Sequence, residues 1–328
     1  MKIIALLPFK NEELFLPMYL ASVRPVVDQI IAMDDRSTDR SRILLERSGA
    51  TVYSNEETLS SGWAEFSIRQ KLLDLGRQAG GTHFVCLDAD EAFTMNVAPN
   101  LRSHIIRMQP GQKLILQWIA LWKSCDAYRD DDSIWSRNFK DFIVYPSSVA
   151  NHEYAFLGVG RTPGHAGPGQ NVLFPTETGG VLHFQFVPWE RFQIKQAWYR
   201  CSELLRRPQT ACDINETYTI GLDDPDARTQ VVPLSWLEGL PIPPRLSEAA
   251  PSWQLEQILH WFDMHTVEFF EPLQIWHCPI LYREFIKRVG REPIPRVRPP
   301  IISRARHLIG RILPKALKDV YKESAGEP

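Results

Sequence analysis

Short apolar runs alternate with longer amphipathic stretches over about the first ninety residues of the chain. A short apolar run predicts a buried strand, and apolar residues spaced three or four apart predict a helix. The predicted strands are Ile3–Leu7, Gln29–Met33, Thr51–Tyr53 and His83–Leu87, and the predicted helices are Glu12–Val23, Thr38–Arg47 and Ser60–Ala79. Alternation of this kind predicts an α/β fold with a parallel sheet and right-handed crossovers.

The alternation becomes less regular beyond residue 95. The later predicted strands are Lys113–Trp122, Lys140–Tyr145 and Gly180–Phe186, and the later predicted helices are Trp189–Arg206, Trp253–Phe270 and Pro279–Val289. The stretch between Pro208 and Pro251 is rich in Pro and Asp, which is typical of a linker or lid. We therefore predict a catalytic domain over 1–207, a linker or lid over 208–252 and a helical extension over 253–328.

The charge is distributed unevenly along a chain of ordinary globular composition, 44% hydrophobic and 23% charged. From Arg283 to Lys322 there are twelve Lys or Arg residues and three acids, so with a net charge of −2 the remainder carries −11. An acidic body argues against nucleic acid as its main ligand. The basic end is a candidate for contact with an anionic surface.

Apolar residues between Ile301 and Val320 follow helical spacing, with Arg and Lys at the other positions. Such a helix can lie on an anionic membrane, or it can pack on its own domain with a solvated basic face. No segment approaches the roughly 20 apolar residues that span a bilayer, and Ile3–Leu7 is too short for a signal peptide. The five scattered cysteines fit a reducing compartment. We expect a cytoplasmic protein whose basic helix can meet the inner face of the plasma membrane.

Two carboxylates, Asp88 and Asp90, follow the apolar run Phe84–Leu87. A hard divalent cation such as Mg²⁺ or Mn²⁺ prefers oxygen ligands and commonly bridges carboxylates to substrate phosphates. Such an ion would neutralise the charge of a departing nucleoside diphosphate. Acids after a strand also cap helices or face water, so this pair alone does not establish a metal site.

Polar residues also follow the first and second predicted strands. Asp34 and Asp35 end the second strand, where a carboxylate can accept hydrogen bonds from a nucleobase or a ribose, and Asn11 and Glu12 follow the first. In open α/β sheets the ligand lies outside the carboxyl ends of the strands. The three clusters are therefore expected beside one crevice.

Together, Pro8-Phe9-Lys10-Asn11-Glu12-Glu13, Asp34-Asp35-x-Ser37-x-Asp39-x-Ser41 and Asp88-Ala89-Asp90-Glu91 resemble the motifs of family 2 glycosyltransferases. The resemblance is clear over about 1–95 and continues more weakly to about 205, closest to the subgroup acting on lipopolysaccharide or related glycans. It implies a GT-A fold, a mostly parallel sheet flanked by helices. It also implies an inverting enzyme that uses Mn²⁺ or Mg²⁺ to move a sugar from a nucleotide-sugar donor to a glycan or lipid-linked acceptor.

The resemblance also assigns expected roles. Nucleotide-sugar binding falls to Pro8, Asn11, Glu12, Asp34, Asp35, Arg69, Asp88 and Lys195. Asp90 and Asp88 are the expected metal ligands, and Asp88 is also expected near the ribose. Arg69 and Lys195 each have a plainer alternative, a solvated helix arginine and a helix lysine that extends its charge to water.

The remaining expected site residues lie in the second half of the resemblance. Asn151-His152-Glu153 resembles a His-Glu pair of the subgroup, so Glu153 is the expected base that deprotonates the acceptor hydroxyl. Glu91 and Asp141 are the competing choices. His183 ends an apolar run, where it is either a third metal ligand suited to Mn²⁺ or a core histidine.

Other function classes fit the sequence less well. A nucleotidyltransferase should have a Gly-rich loop after the first strand to bind a triphosphate, and Pro8–Glu13 contains no glycine. A catalytically silent GT-A-like module that binds a glycan or a protein would not need the Asp88 and Asp90 pair. A phosphatase of the Asp-x-Asp-x-Thr type is disfavoured because Ala92 stands at the threonine position.

Overall fold

The computed structural model describes residues 1–56, 65–131, 133, 135–136, 138–146, 161–163, 171–174, 179–206, 211–222, 224, 226–249 and 253–297. The chain forms two compact units, one from Met1–Phe192 with Asp224–Trp253 and the other from Gln193–Asp223 with Gln254–Pro328. The domain boundaries expected after residues 207 and 252 differ from these divisions and stay predictions.

A mixed β-sheet forms the centre of the first unit. Its strands are β1 (Ile3–Phe9), β2 (Gln29–Asp34), β3 (Thr51–Ser54), β4 (His83–Val85), β5 (Glu91–Phe93), β6 (Lys113–Ala120), β8 (Phe139–Val144), β9 (Asn171–Leu173) and β10 (Val181–His183), while β7 (Ala127–Arg129) lies outside it. Their order is β3-β2-β1-β4-β8-β6-β10-β5, with β9 beside β6. The pairs β1–β2, β2–β3, β1–β4, β6–β9 and β6–β10 are parallel, and β4–β8, β6–β8 and β5–β10 are antiparallel.

Helices of the first unit flank this sheet. The described helices of the chain are α1 (Leu16–Val23), α2 (Ser41–Arg47), α3 (Glu65–Gln78), α4 (Ala98–Ile106), α5 (Trp189–Arg206), α6 (Ala211–Thr217), α7 (Leu234–Leu237), α8 (Trp253–His265) and α9 (Pro279–Val289). Ile68, Leu72 and Leu73 form one apolar side of α3 and pack with Leu6 and Phe84 of the sheet. The predicted α/β fold, a sheet flanked by helices, is confirmed.

Several element boundaries differ from the sequence-based expectations. The helix expected from Glu12 begins at Leu16, because the backbone N–H groups of residues 11–13 are bonded to the loop before α2. The strand expected over Gly180–Phe186 ends at His183, and Phe184–Phe186 forms a 3₁₀ turn. Likewise, α8 ends at His265, before Thr266 adopts a positive φ of 62°.

The stretch expected as a linker or lid contains regular structure where it is described. Strand β11 (Thr229–Val231) pairs with β7 in a two-stranded antiparallel sheet of the first unit. Trp236 of α7 packs in an apolar cluster with Leu121 and Leu182. The part of the stretch from Asp224 onward therefore belongs to the first unit, whereas the part before it, which includes α6, belongs to the second. The basic helix expected over 301–320 lies outside the described residues.

The second unit has an aromatic core of its own. Phe262 packs against Phe270 with ring centroids 5.3 Å apart, and Trp276 packs against Phe285 at 4.7 Å. The Asn215 amide donates to the carbonyls of Pro272 and Arg296, both at 2.9 Å, which ties α6 to the segments around α9. Among the described residues, no helix combines the length and the apolar character needed to cross a membrane.

Candidate functional site

The polar clusters expected at the strand ends follow three neighbouring parallel strands. β1 lies between β2 and β4 and runs parallel to both. The residues after β1, β2 and β4 therefore leave the sheet at the same edge. The clusters around Asn11, Asp35 and Asp88 begin there.

Asp90, Glu91 and His183 form a compact group, the candidate metal group, whose potential ligand atoms all lie within 4.8 Å of one another. The antiparallel pairing of β5 with β10 sets His183 directly opposite Glu91, and the Phe184 N–H donates to the Asp90 carbonyl at 2.9 Å. The Nε2 atom of His183 is 3.6 Å from Oδ2 of Asp90. Two carboxylates and an imidazole are a donor set that suits Mn²⁺ and, less well, Mg²⁺.

Gly180 allows β10 to approach β6 at the start of this group. A Cβ atom at residue 180 would lie only 2.4 Å from the carbonyl oxygen of Gln117. Any other side chain there would push β10 away from β6 and displace His183, three residues along the chain.

Asp88 lies beside the group but is held by two arginines. Arg69 Nη2 is 2.7 Å from Asp88 Oδ1, and Arg161 Nη2 is 3.1 Å from Oδ2. Burial would raise the pKa of Asp88, but the two guanidinium groups outweigh it and lower the pKa to about 2. Asp88, expected as a metal ligand, is outside the group of ligand atoms found among the described residues. Arg69 is buried against Asp88, so it is not a solvated helix arginine.

Glu91 is fully engaged inside the protein. Its Oε1 accepts from the Trp118 indole N–H at 2.7 Å, and its Oε2 accepts from the Asp88 backbone N–H at 2.8 Å and from Arg161. Burial raises the pKa of Glu91 to about 7, Arg161 opposes this, and the Asp88 and Asp90 carboxylates add to it. At 1% exposure, Glu91 is too buried to meet an acceptor hydroxyl.

Trp118 connects the metal group to a cationic side chain. Its ring stacks on His183 with centroids 4.1 Å apart, and the Lys140 ammonium lies 3.4 Å from the ring centroid. Burial, together with repulsion from Arg161, lowers the pKa of Lys140 to about 8.

The choices for the catalytic base are placed differently. Glu153 lies outside the described residues, so its role stays a prediction. Asp141, on β8, accepts from Lys113 at 2.9 Å and from the Thr162 hydroxyl. Thr162 follows Arg161, so two consecutive residues attach this short segment to the carboxylates of the site.

The two acids at the end of β2, Asp34 and Asp35, are surrounded by polar and cationic groups. Asp35 is 1% exposed, and its Oδ1 accepts from the Asn55 amide at 2.8 Å. Its Oδ2 lies 3.6 Å from the Lys10 ammonium and has no hydrogen-bond partner among the described residues. Asp34 accepts from the Ser37 N–H at 2.8 Å. Each of the two acids thus has its Oδ2 atom 3.6 Å from a cation, Lys10 for Asp35 and Arg42 for Asp34.

Asn11 and Glu12 connect two loops. The Asn11 side-chain oxygen accepts from the backbone N–H of Thr38 at 2.6 Å, and the Glu12 N–H donates to Ser41 Oγ at 2.7 Å. The Glu12 carboxylate pairs with Arg191 at 3.2 Å. Pro8 is buried within β1 opposite Met33. The contacts of Asn11 and Glu12 fix the shape of the crevice edge.

Lys195 belongs to the second unit, so its expected contact with a diphosphate stays a prediction.

Sequence reasoning missed several residues of the site. The sequence analysis gives Glu91 only as a competing base, although its position directly after Asp90 also suggests membership of the metal group. Trp118 and Lys140 lie on predicted strands without any local sign of their contact with each other. Arg161 lies in a Gly- and Pro-rich stretch that predicts only a loop.

No family model matches the chain, and no curated protein matches it. Among solved structures, glucosyl-3-phosphoglycerate synthase from Mycobacterium tuberculosis in complex with phosphoglyceric acid is 25% identical over 36% of this chain and 44% of that protein, with a TM-score of 0.27. The same synthase with Mn²⁺ and UDP-glucose aligns at 25% identity over 36% of this chain and 43% of that protein, with a TM-score of 0.27. TarS from S. aureus is 21% identical over 38% of this chain and 22% of that protein, with a TM-score of 0.28. The chain thus spans less than half the length of these proteins.

Proposed function

We propose that this protein is a metal-dependent glycosyltransferase of the GT-A type that uses a nucleotide-sugar donor. The observation that carries the proposal is the group Asp90, Glu91 and His183 beside Asp88, at the edge where three parallel strands end. Carboxylates and an imidazole converging within 4.8 Å offer the ligands that Mn²⁺ or Mg²⁺ would need.

The donor would lie across the strand ends. Asp90 and His183 would hold the divalent ion, which supplies positive charge to stabilise a departing nucleoside diphosphate. Glu91, held by Trp118 and Arg161, orients the group. Oδ2 of Asp35, which lies 3.6 Å from the Lys10 ammonium and accepts no hydrogen bond from a described residue, is the acceptor that we propose for a nucleobase N–H or a ribose hydroxyl.

The finer features of the proposal rest on the sequence motifs. They are membership of family 2, inverting transfer with Glu153 as the base, and a glycan or lipid-linked acceptor of cell-surface polysaccharide synthesis. Asp141 is the alternative base among the described residues, although its pairing with Lys113 and Thr162 lowers its availability. A cytoplasmic location, with the basic tail at the inner face of the plasma membrane, is part of the same proposal.

A catalytically silent binding module is the alternative. Arg161 pairs with Glu91, but two carboxylates and a histidine still converge within 4.8 Å, an arrangement that a bound divalent cation would stabilise further. A module that only binds a glycan or a partner protein has no use for such a group, so the geometry favours the enzyme.

A thermal-shift screen of UDP- and GDP-sugars, with and without Mn²⁺, tests the proposal. We expect at least one donor to raise the melting temperature only with the ion, and to be hydrolysed slowly. Asp90→Asn should lose both effects, whereas Asp74→Asn, a carboxylate on α3 paired with Gln70, should keep them. An ion-dependent shift that survives in Asp90→Asn, or no shift with any donor, would contradict the proposed function. Glu153→Gln with unchanged transfer would remove Glu153 from the base role.

A further inference from the structure

Lys140 and His183 lie on opposite faces of the Trp118 indole. The His183 ring stacks on it at 4.1 Å and 22°, and the Lys140 Nζ atom is 3.4 Å from the same centroid. The His183 ring covers one face of the indole, so the Lys140 ammonium must lie on the other face. The thickness of the indole therefore separates Lys140 from the metal group.

The sheet fixes this arrangement. Lys140 of β8 is directly opposite Leu116 of β6, so Trp118, two residues further along β6, is its diagonal neighbour on the same face. The Arg161 guanidinium lies 5.0 Å from the Trp118 ring centroid. Lys140 and Arg161 thus place two cations around one indole.

The Lys140 ammonium has hydrogen-bonding capacity that no described residue uses. Its one close contact among them is the Trp118 face, and the carboxylates of Glu91, Asp88 and Asp141 act on it only through longer-range attraction. Arg161 already pairs with Asp88 and Glu91 and offsets much of their negative charge. Lys140 is half-buried and its Nζ is not among the fully buried atoms that have no partner, so in the free protein its three N–H donors face water. A bound anion would satisfy those donors.

We propose that Lys140, with Arg161 beside it, forms an anion-binding subsite that takes a phosphate or carboxylate group of the acceptor. The assignment to the acceptor rests on the proposed transferase function, since the donor's diphosphate would lie with the ion on the His183 side of Trp118. A second anionic group would then meet Lys140 across the indole. The acceptor is accordingly a phosphorylated or acidic molecule rather than a neutral glycan.

Calorimetric titration with inorganic phosphate and with acetate, in EDTA, tests the subsite without any sugar donor. We expect wild-type protein to bind at least one of the two anions, and Lys140→Gln to weaken that binding by about tenfold, the scale of one lost charge-assisted hydrogen bond. Lys140→Arg should restore most of it. Lys287→Gln, an exposed lysine of the second unit, should bind like the wild type. Circular dichroism checks that the variants are folded.

A second anion titration, with UDP and Mg²⁺ present, shows whether the anion site belongs to the acceptor or to the donor. Unchanged anion binding supports the acceptor subsite, while displacement of the anion by UDP would assign Lys140 to the donor and overturn the proposal. Equal anion affinity in wild type and Lys140→Gln, or no anion binding by the wild type, would also overturn it. If UDP fails to bind while anion binding still depends on Lys140, the anion site stands and the transferase function fails.

Discussion

Two neighbouring carboxylates of the site carry opposite pKa shifts because their partners differ. Asp88 is held by two guanidinium groups, which lower its pKa to about 2 in spite of burial. Burial raises the pKa of Glu91 to about 7, and Arg161 offsets only part of that effect. The two pKa values are therefore shifted in opposite directions, so as the pH falls Glu91 takes up a proton before Asp88 does.

Tyr19 is a buried residue whose hydroxyl group makes no hydrogen bond with the described residues. Its side chain is fully buried on α1, and its hydroxyl has no hydrogen-bond partner among the described residues. Burial raises the pKa of Tyr19 well above its ordinary value. Because an unsatisfied buried hydroxyl costs about 1 kcal/mol or more, Tyr19→Phe should increase the free energy of unfolding by about that amount in urea titrations. Tyr53→Phe, at a tyrosine 39% exposed, is the matched control and should change little. A destabilised Tyr19→Phe would show that the hydroxyl has a partner.

Asp131 should make the stability of the first unit depend on pH. Burial alone would raise the pKa of Asp131, but hydrogen bonds from Ser133, Ser136 and Arg129 hold it well below its ordinary value. A carboxyl whose pKa is lowered on folding stabilises the protein above the unfolded value of about 4, and the contribution is lost as the pH falls further.

The measurement is the difference in unfolding free energy between wild type and Asp131→Asn across pH. At pH 7 the variant should be less stable by about 2 kcal/mol, and the difference should shrink as the pH falls below about 4. Asp263→Asn, an acid 65% exposed, is the control and should show a much smaller difference at each pH. A constant difference from pH 7 to pH 2 would mean that Asp131 is not ionised through these contacts.

At the scale of elements, the loops after β1 and β2 depend on each other. Asn11 has a positive φ of 54°, and its side-chain oxygen accepts from the backbone N–H groups of Thr38 and Asp39 at 2.6 and 3.3 Å. Asn tolerates this left-handed conformation better than most residues. One residue thus turns the chain and connects both loops.

Substitutions at Asn11 should separate these two roles. Asn11→Gly keeps the backbone conformation but loses the hydrogen bonds, while Asn11→Ala loses the bonds and strains the backbone. We expect Asn11→Ala to unfold more easily than Asn11→Gly by about 1 kcal/mol, and Asn11→Asp, which keeps an acceptor oxygen, to be the closest to wild type. Equal stability of the Ala and Gly variants would show that the positive φ is not maintained in solution.

The sequence could predict the elements whose signal is local. β1, β2 and β4 are apolar runs stopped by polar residues, so the crevice edge that carries Asp34 and Asp88 can be read from the chain. β5 is too short to have a periodic pattern, and it is a strand only because β10, far along the chain, pairs with it. The contact between Arg161 and Asp88 is likewise long-range. Local propensity contains no information on either contact.

The same limit explains the misplaced ends of predicted elements. Phe184 and Phe186 continue the apolar run of β10, but their backbone turns where Phe184 N–H bonds to Asp90. Apolar character predicts that these residues are buried, which they are. It does not tell a strand from a buried turn.

On the scale of the whole molecule, charge is separated along the chain. The stretch from Arg283 to Lys322 carries twelve basic and three acidic residues, against −11 on the rest of a chain whose net charge is −2. Within that stretch, Arg283–Val297 is described, and part of its charge is paired, as in Arg291 with Glu271 and Arg288 with Asp263. The basic residues beyond 297 lie outside the described residues, so only the sequence bears on their role.

Those later basic residues should bind the chain to anionic lipid if the tail forms the expected surface helix. Each Lys or Arg near an anionic membrane contributes about 1 kcal/mol, and salt screens the attraction. The full chain should therefore sediment with phosphatidylserine-containing vesicles at low salt, but neither at high salt nor with phosphatidylcholine alone. A chain ending at Val297 should stay in the supernatant, and replacing Arg304, Arg306 and Arg311 by Gln in the full chain should weaken binding without truncation. Equal sedimentation of the full and shortened chains would contradict membrane binding by the tail and favour the alternative, a helix packed on its own domain.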